Sequence, residues 1–476
     1  MPTTTRSAKK AETMQKTASG ADLTTGTLSS SSDSEDDSAT AAAKEAFPTG
    51  LSQRRNKKGA KGASTTTTNT STIMKTPSQP SSFTAMRWVE FITGSTIFFC
   101  ALPFVTFQII CCTLWEFLDQ STLRMCELAT KLNTLTGPYQ EWLVSNPKDS
   151  FVVNTTIWLG FCLPCYFLYE AYCQTHSDHF IWWRAALYNI VRIGPMYRNF
   201  MYVYVLCHKE AHCFGKIWKS PYDRLLGNIY NYYVGFFHGV LPGPFTQSHI
   251  YNHHKYDNAK LDVYSTGAFP RDSFFYFLHY IYVWFLYALN ISTMVQFYKE
   301  NKMRRVFNTF LGTAFFATMV AAVWHFCGPL FTAVYVLYPV IEGNILLAMV
   351  NFTWHAFIDP EDPDNDYVNS VTILEGLNFC LSEEYHVVHH QYAGIHWSRH
   401  EEMYEKHKED YIRCTATVFQ KCNLFVIWGM IVAKDYEGLT EHYVQLEPDE
   451  KKHLSKQELA QLLKERLQCT TWSYGG

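Results

Sequence analysis

Four separated stretches of this chain carry histidines in tight groups, and any fold that uses them must bring all four to one place. His208 and His212 form the first group, His249, His253 and His254 the second, His355 stands alone, and His386, His389 and His390 form the last. Several neutral imidazoles arriving from different segments are what a multinuclear transition-metal site requires. A lone histidine is more often an ordinary polar tip. The joint pattern, two boxes ending in adjacent histidines plus an HxxxH box, is hard to obtain from composition. The remaining histidines, including His238, His279, His400 and His407, keep the ordinary reading, although His396 lies close enough to the last group to back a ligand.

Spacing says how each group presents its rings. His208 and His212 are i, i+4, which puts both on one face of a helix. His249 and His253 repeat that interval, and His254 adds a ring able to turn toward a second metal. His386, His389 and His390 use i, i+3 and i+4. Asn351 and His355 are again i, i+4, with an amide in the first position.

Composition divides the 476 residues sharply. Residues 1–86 are rich in Ser, Thr, Ala and Lys and almost free of aromatics, too little apolar surface to offset chain entropy, so this tail is expected to be disordered. It shows no secretory signal pattern. From Trp88 onward, long aromatic and aliphatic runs give an integral membrane profile, so residues 87–440 form the expected membrane domain and 441–476 a tail. Net charge of −3 gives no reason to expect a nucleic-acid partner. Cys162 and Cys165, the CxxC in the apolar region, read as buried thiols, and the carboxylate-rich run Asp359–Asp366 lacks EF-hand spacing and reads as a solvated loop. Ser455 and Glu458 make a capping box that opens a short helix with Leu459, Leu462, Leu463 and Leu467 along one side.

A spanning helix needs about 20 mostly apolar residues, and five stretches compete: about 89–118, 151–173, 274–298, 306–327 and 329–351. All four histidine groups must share one side, so the number of crossings between them must be even. Basic residues before the first stretch and after the second place both flanks in the cytosol, making a hairpin whose loop, about 119–150, faces the other side. The stretch 274–298 has basic residues at its far end, so it reads as interfacial or re-entrant, with Tyr276, Tyr280, Tyr282, Trp284 and Tyr287 at headgroup level. The last two stretches, turned at Gly328-Pro329, make a second hairpin. Three arginines in 178–207 argue for a membrane-surface helix there, and Leu424–Ala433 is too short to span. The expected fold is therefore all-α and integral to the membrane: four spanning helices in two hairpins, interfacial helices, and a cytosolic histidine-rich cap.

With its boxes in this order, the chain resembles the membrane fatty acid desaturase superfamily, whose members carry boxes of the form HxxxH or HxxxxH, HxxHH or HxxxHH, and HxxHH. The likeness covers roughly residues 88–435. His208 and His212 match the first box, His249, His253 and His254 the second, and His386, His389 and His390 the third; Asn351 and His355 look like the NxxxH element whose amide reaches iron through water. The resemblance implies a four-span domain whose cap holds two iron ions. Two departures stand out. Lys209 occupies the position where many acyl-lipid desaturases carry aspartate, and the second box has three spacers where two are usual, as in alkane hydroxylases of the wider superfamily. No His-Pro-Gly-Gly motif of a fused cytochrome b5 domain is present, so electrons are expected from a separate donor such as cytochrome b5 or ferredoxin.

The chemistry follows from the substrate class. An unactivated methylene has no acidic proton and no leaving group, so redox metal with dioxygen as co-substrate must attack it. The expected activity is desaturation of a fatty acyl or related lipid chain, with lipid or alkane hydroxylation on the same scaffold as the alternative. A histidine-lined metal transporter would need ligands at the bilayer midplane, and a zinc hydrolase would need about three. The expected location is the endoplasmic reticulum, with both termini in the cytosol.

Overall fold

The computed structural model describes residues 85–118, 125–376 and 380–472, all within the unit Lys58–Gly476. The tail expected to be disordered lies, up to residue 84, outside the described residues. Among the described residues the chain is mostly helical, and four helices are long and apolar enough to cross a membrane: Arg87–Phe117, Pro147–Thr175, Met303–Cys327 and Pro329–Trp354. Their bounds follow the apolar runs read from the sequence. Large apolar side chains such as Phe104, Phe107, Phe307 and Phe310 point outward, as suits a lipid surface.

The stretch 274–298 is broken rather than continuous. Phe274–Ala288 and Ile291–Lys299 meet at 69°, at Asn290, which has a left-handed φ of 65°. The Asn290 amide donates to the Pro242 carbonyl at 3.0 Å and the Thr313 hydroxyl at 2.9 Å, which fixes the bend. The first apolar helix packs tightly here: a Cβ at Gly94 would collide with the Leu278 carbonyl oxygen. Three of the five aromatics expected at headgroup level, Tyr280, Trp284 and Tyr287, are instead buried. Each of the first two spends its polar atom on an interior partner, Tyr280 on the Tyr264 carbonyl at 3.0 Å and Trp284 on Asn344 at 3.2 Å.

The first hairpin does not form as expected, because Pro147–Thr175 begins beside the histidines and runs away from them. Ser145 donates to the Ile217 carbonyl at 2.8 Å, and Asp149 accepts from Lys209 of the first box at 2.5 Å. At the other end, Gln174 donates to the Tyr335 hydroxyl at 3.1 Å. Tyr335 lies twenty residues before His355 on the fourth apolar helix, about 30 Å back along its axis. The helices Trp182–Ile193 and Arg198–His212 then carry the chain back to the histidines.

That return path is interior, not a surface helix. Arg192 is fully buried and paired with the equally buried Glu342 of the fourth apolar helix, and its Nε donates to Asn189 at 3.2 Å. Arg184, nearer the far end, makes a two-point contact with Glu170 at 2.8 and 3.1 Å. A hydropathy count rejects an arginine-bearing crossing, whereas a carboxylate on a facing helix permits it.

A compact cap closes over the histidines. It departs from the all-α expectation by a small parallel sheet of β1 (Thr372–Leu374) and β2 (Val418–Gln420). Leu424–Ala433 packs against the fourth apolar helix, and Ile427 and Ile431 share a core with Leu459, Leu463 and Leu467 of the terminal helix Lys456–Gln468. That helix opens with the capping box read from the sequence, Ser455 and Glu458 each bonding the other's backbone amide. Arg271, fully buried, donates to the carbonyls of Phe269, Ala356 and Arg466, each at 2.8 Å, and so locks the terminal helix to the segment after His355. Residues 360–364 are exposed, as a solvated loop requires, while Cys162 and Cys165 are exposed rather than buried.

Removing one partner of a buried ion pair strands the other, at about 3–5 kcal/mol, whereas replacing both by apolar residues is often neutral. Glu342→Ala is therefore expected to lower the unfolding temperature of the detergent-solubilised protein strongly, and Arg192→Leu combined with Glu342→Leu to restore it. A thermal scan of the two variants beside the parent checks this.

Candidate metal centre

The fold brings all nine box histidines together as two adjoining groups. His208, His212, His249, His254 and His389 each offer a ring nitrogen within 4.8 Å of the others, and His253, His355 and His390 do the same. His386 joins the second group, its Nε2 lying 3.3 Å from that of His355 and 3.2 Å from that of His390. The groups touch: the rings of His254 and His390 are 4.9 Å apart.

Local winding decides which ring goes where. In the α-helix Arg198–His212, His208 and His212 meet at i, i+4 with Nε2 atoms 3.0 Å apart. The second box lies instead on the π-helix Pro244–His253. Its wider turn pairs His249 with His254, at i, i+5 and 3.0 Å, and sends His253 to the other group. The expected i, i+4 pairing of His249 with His253 is thus replaced. In the short helix His386–Gln391, His386 and His390 face the second group and His389 the first, 3.1 Å from His254.

Behind the rings stands a layer of acceptors. The Nδ1 of His253 bonds Asp262 at 2.6 Å, and the Nδ1 of His355 faces the Asn369 carbonyl at 3.1 Å. Glu383 lies 3.1 Å from His208 Nδ1, and Asp257 lies 3.0 Å from His390 Nδ1. The Tyr264 hydroxyl is 3.2 Å from His249 Nδ1. Asp366, from the loop read as solvated, abuts Asp257; burial and then that neighbouring charge push its carboxyl up to about 7. These acceptors were not picked out from the sequence. The available signal was proximity, since Asp257, Asp262 and Glu383 all stand within nine residues of a box histidine.

The donor set fits a metal. A ring whose Nδ1 donates to a carboxylate or carbonyl carries a bare lone pair on Nε2. Such lone pairs face one another here at 2.6–3.3 Å, the shortest between His208 and His249, and repel unless a cation lies among them. Burial, followed by the crowding of neighbouring imidazoles, pushes His212, His249, His254, His355, His386 and His389 well below the ordinary histidine value. The rings are held in the neutral, ligating form.

Two further residues flank the site. Asn351 lies one side chain back: its amide donates to the Tyr280 hydroxyl at 2.7 Å, and it lines a small cavity with His249, His253 and His386. His396 does not back a histidine. It sits 3.1 Å from Asp149 and 3.0 Å from Lys209, in a cluster that Trp397 completes by donating to Asp149 at 2.8 Å.

An apolar cavity of about 520 Å³ reaches the site. It runs from His208, Glu383 and Trp354 between the first apolar helix and Phe200, Met201 and Tyr204 of the returning helix. His208, Tyr204, Phe245 and Trp354 line both this cavity and the smaller one at the histidines, so the two adjoin.

The family described as Fatty acid desaturase matches residues 180–420. That interval contains every box histidine. No curated protein and no solved structure matches the chain.

Two outcomes follow from this geometry. Asp262→Ala frees the His253 ring and is expected to weaken metal retention about 10–100-fold, read as metal per chain after equilibrium dialysis. Because the folded-state histidines sit below their unfolded value of 6.5, their contribution is present above that pH and is lost as protons bind the unfolded chain below it. Unfolding temperature is therefore expected to fall as pH drops through about 6.5 and below, with metal retained on the folded protein until its own rings take up protons at lower pH.

Proposed function

Because the chain belongs to the fatty acid desaturase family, an oxidoreductase family acting on lipids, we propose that it desaturates a fatty acyl or related lipid chain, using dioxygen and electrons from a separate donor. The carrying observation is that one residue, His208, lines both the apolar cavity and the histidine site. A hydrocarbon in the cavity has its methylenes delivered to that site, with few polar groups on the way to hold water.

On this reading His208, His212, His249, His254 and His389 hold one iron ion and His253, His355, His386 and His390 the other, with Asn351 reaching the site through water. Bound iron would supply the redox capacity to activate dioxygen against an unactivated methylene. The protein's own groups do the rest. Asp262, Asp257 and Glu383 fix the ring orientations, the buried surroundings keep the imidazoles unprotonated, and Phe245, Trp354 and Tyr204 shape the passage and hold the chain in place. Taking two hydrogens from the lipid supplies two of the four electrons that reduce dioxygen to two waters. The other two must come from outside, so a partner such as cytochrome b5 or ferredoxin is required.

The same reading puts the histidine cap and both termini in the cytosol, in the endoplasmic reticulum membrane, with 87–440 as the catalytic domain and 441–476 docked on it. Within it the four apolar helices cross the bilayer and the interior path Trp182–His212 crosses back to the histidines, so keeping both termini on the side of the cap requires one further return between the first two apolar helices.

Metal analysis of purified protein is expected to find about two irons per chain; one zinc would favour a hydrolase, and no retained metal a transporter. Expression in a host lacking the activity, with mass spectrometry of its fatty acids and sterols, should show a product two hydrogens lighter than its precursor. A product heavier by one oxygen would mean hydroxylation. His389→Ala or His253→Ala should abolish the product while the protein stays in the membrane.

A further inference from the structure

The lipid cavity has a cap end, where Gly376, Cys380, Glu383, Glu384 and Asn423 line it. These residues come from the two segments that leave the strands β1 and β2. The Glu384 carbonyl accepts from the Ile373 amide at 2.9 Å, which ties its segment to β1. A Cβ built on Gly376 would meet the Glu384 side chain at 3.5 Å and the Cys422 carbonyl oxygen at 3.7 Å. Glu384 therefore stands beside the turn that leads into Leu424–Ala433. Gly376, Asn423 and Leu424 are half-buried, so this end of the cavity reaches the surface of the cap.

The polar groups here are unevenly occupied. Glu383 faces Nδ1 of His208 at 3.1 Å, and the Asn423 side chain caps Leu424–Ala433 by accepting from the Val426 amide at 3.0 Å. Glu384 accepts from the Cys380 amide at 3.1 Å through Oε1, while its Oε2 is buried without a hydrogen-bond partner among the described residues. That atom belongs to a side chain of the cavity wall, so a molecule in the cavity can complete it, and leaving it unmatched is costly. No lysine or arginine occurs among the described residues that line the cavity. A carboxylate or phosphate head would enter beside two carboxyl groups with no cation to offset its desolvation. A hydroxyl completes the acceptor and brings no charge.

We infer that the cap end of the cavity receives an uncharged, hydrogen-bond-donating lipid head, of which a hydroxyl is the simplest, on Oε2 of Glu384. This rests on the reading that the cavity holds the lipid to be oxidised. The tail then runs past His208 and along Phe200 and Met201 toward Met196. Glu384 is a specificity-determining residue, selecting the head that enters and the direction in which the chain lies.

The test is displacement of tritiated hexadecanol from the full-length, iron-loaded protein in detergent by unlabelled hexadecanol, hexadecane or hexadecanoate. Hexadecanol is expected to compete better than either of the others by roughly fivefold to tenfold, the worth of one hydrogen bond. Glu384→Met removes the acceptor and is expected to abolish the preference over hexadecane, whereas Glu384→Gln, which keeps an acceptor of the same size, retains most of it. Hexadecanol with a photoreactive diazirine on the carbon beside its hydroxyl needs no variant, and is expected to label Glu384 or the stretch 422–425. Hexadecane or hexadecanoate competing as well as hexadecanol, a preference that survives in Glu384→Met, or labelling confined to other parts of the chain overturns the head site and leaves lipid oxidation standing. Absence of saturable hexadecanol binding overturns the lipid reading as well.

Discussion

Nine imidazoles crowded together repel one another when protonated, and repel again wherever two bare lone pairs face, unless something positive lies between them. Much of the local architecture answers to that constraint. The acceptors at Nδ1 of His253 and His355, Asp262 and the Asn369 carbonyl, hold the proton on that nitrogen and turn the bare Nε2 lone pairs of those two rings inward. Burial suppresses protonation, so repulsion between charges is avoided, and the repulsion left between lone pairs is what a bound cation removes. The same desolvation that makes the site costly as bare protein makes it a strong ligand set.

The constraint also explains why the second box is π-wound. An α-helix would set His249 and His253 side by side and leave His254 displaced by about 100°. The π-turn keeps an i, i+5 pair on one group and frees His253 for the other, so one short segment serves both. The three-residue spacer, which stands out in the sequence, is the residue count this winding needs. Its meaning was not legible from spacing alone, because the α-helical interval was equally satisfied on paper.

Other features divide the same way, according to whether the deciding partner is near or far in sequence. The apolar helices and the Ser455–Glu458 capping box are set by neighbouring residues, and they were readable. So was the gathering of the nine histidines in one place, since the boxes announce themselves. The path of the chain between the first two boxes was not. Arg184 and Arg192 argued against an interior course, yet the decisive fact is Glu342, 150 residues onward on another helix. The headgroup role given to Tyr280 and Trp284 failed for the same reason, because their interior partners Tyr264 and Asn344 lie 16 and 60 residues away. The short β1–β2 sheet, three residues per strand, carries too little pattern to be seen at all.

The cost of the Arg192–Glu342 pair bears on why it is there. An apolar pair of similar volume would pack this position without desolvating two charges. What apolar residues do not supply is direction. A guanidinium and a carboxylate meet in one register only, so the pair fixes how Trp182–Ile193 seats against the fourth apolar helix, and with it the course of the helix Arg198–His212 that carries His208 and His212 to the other histidines.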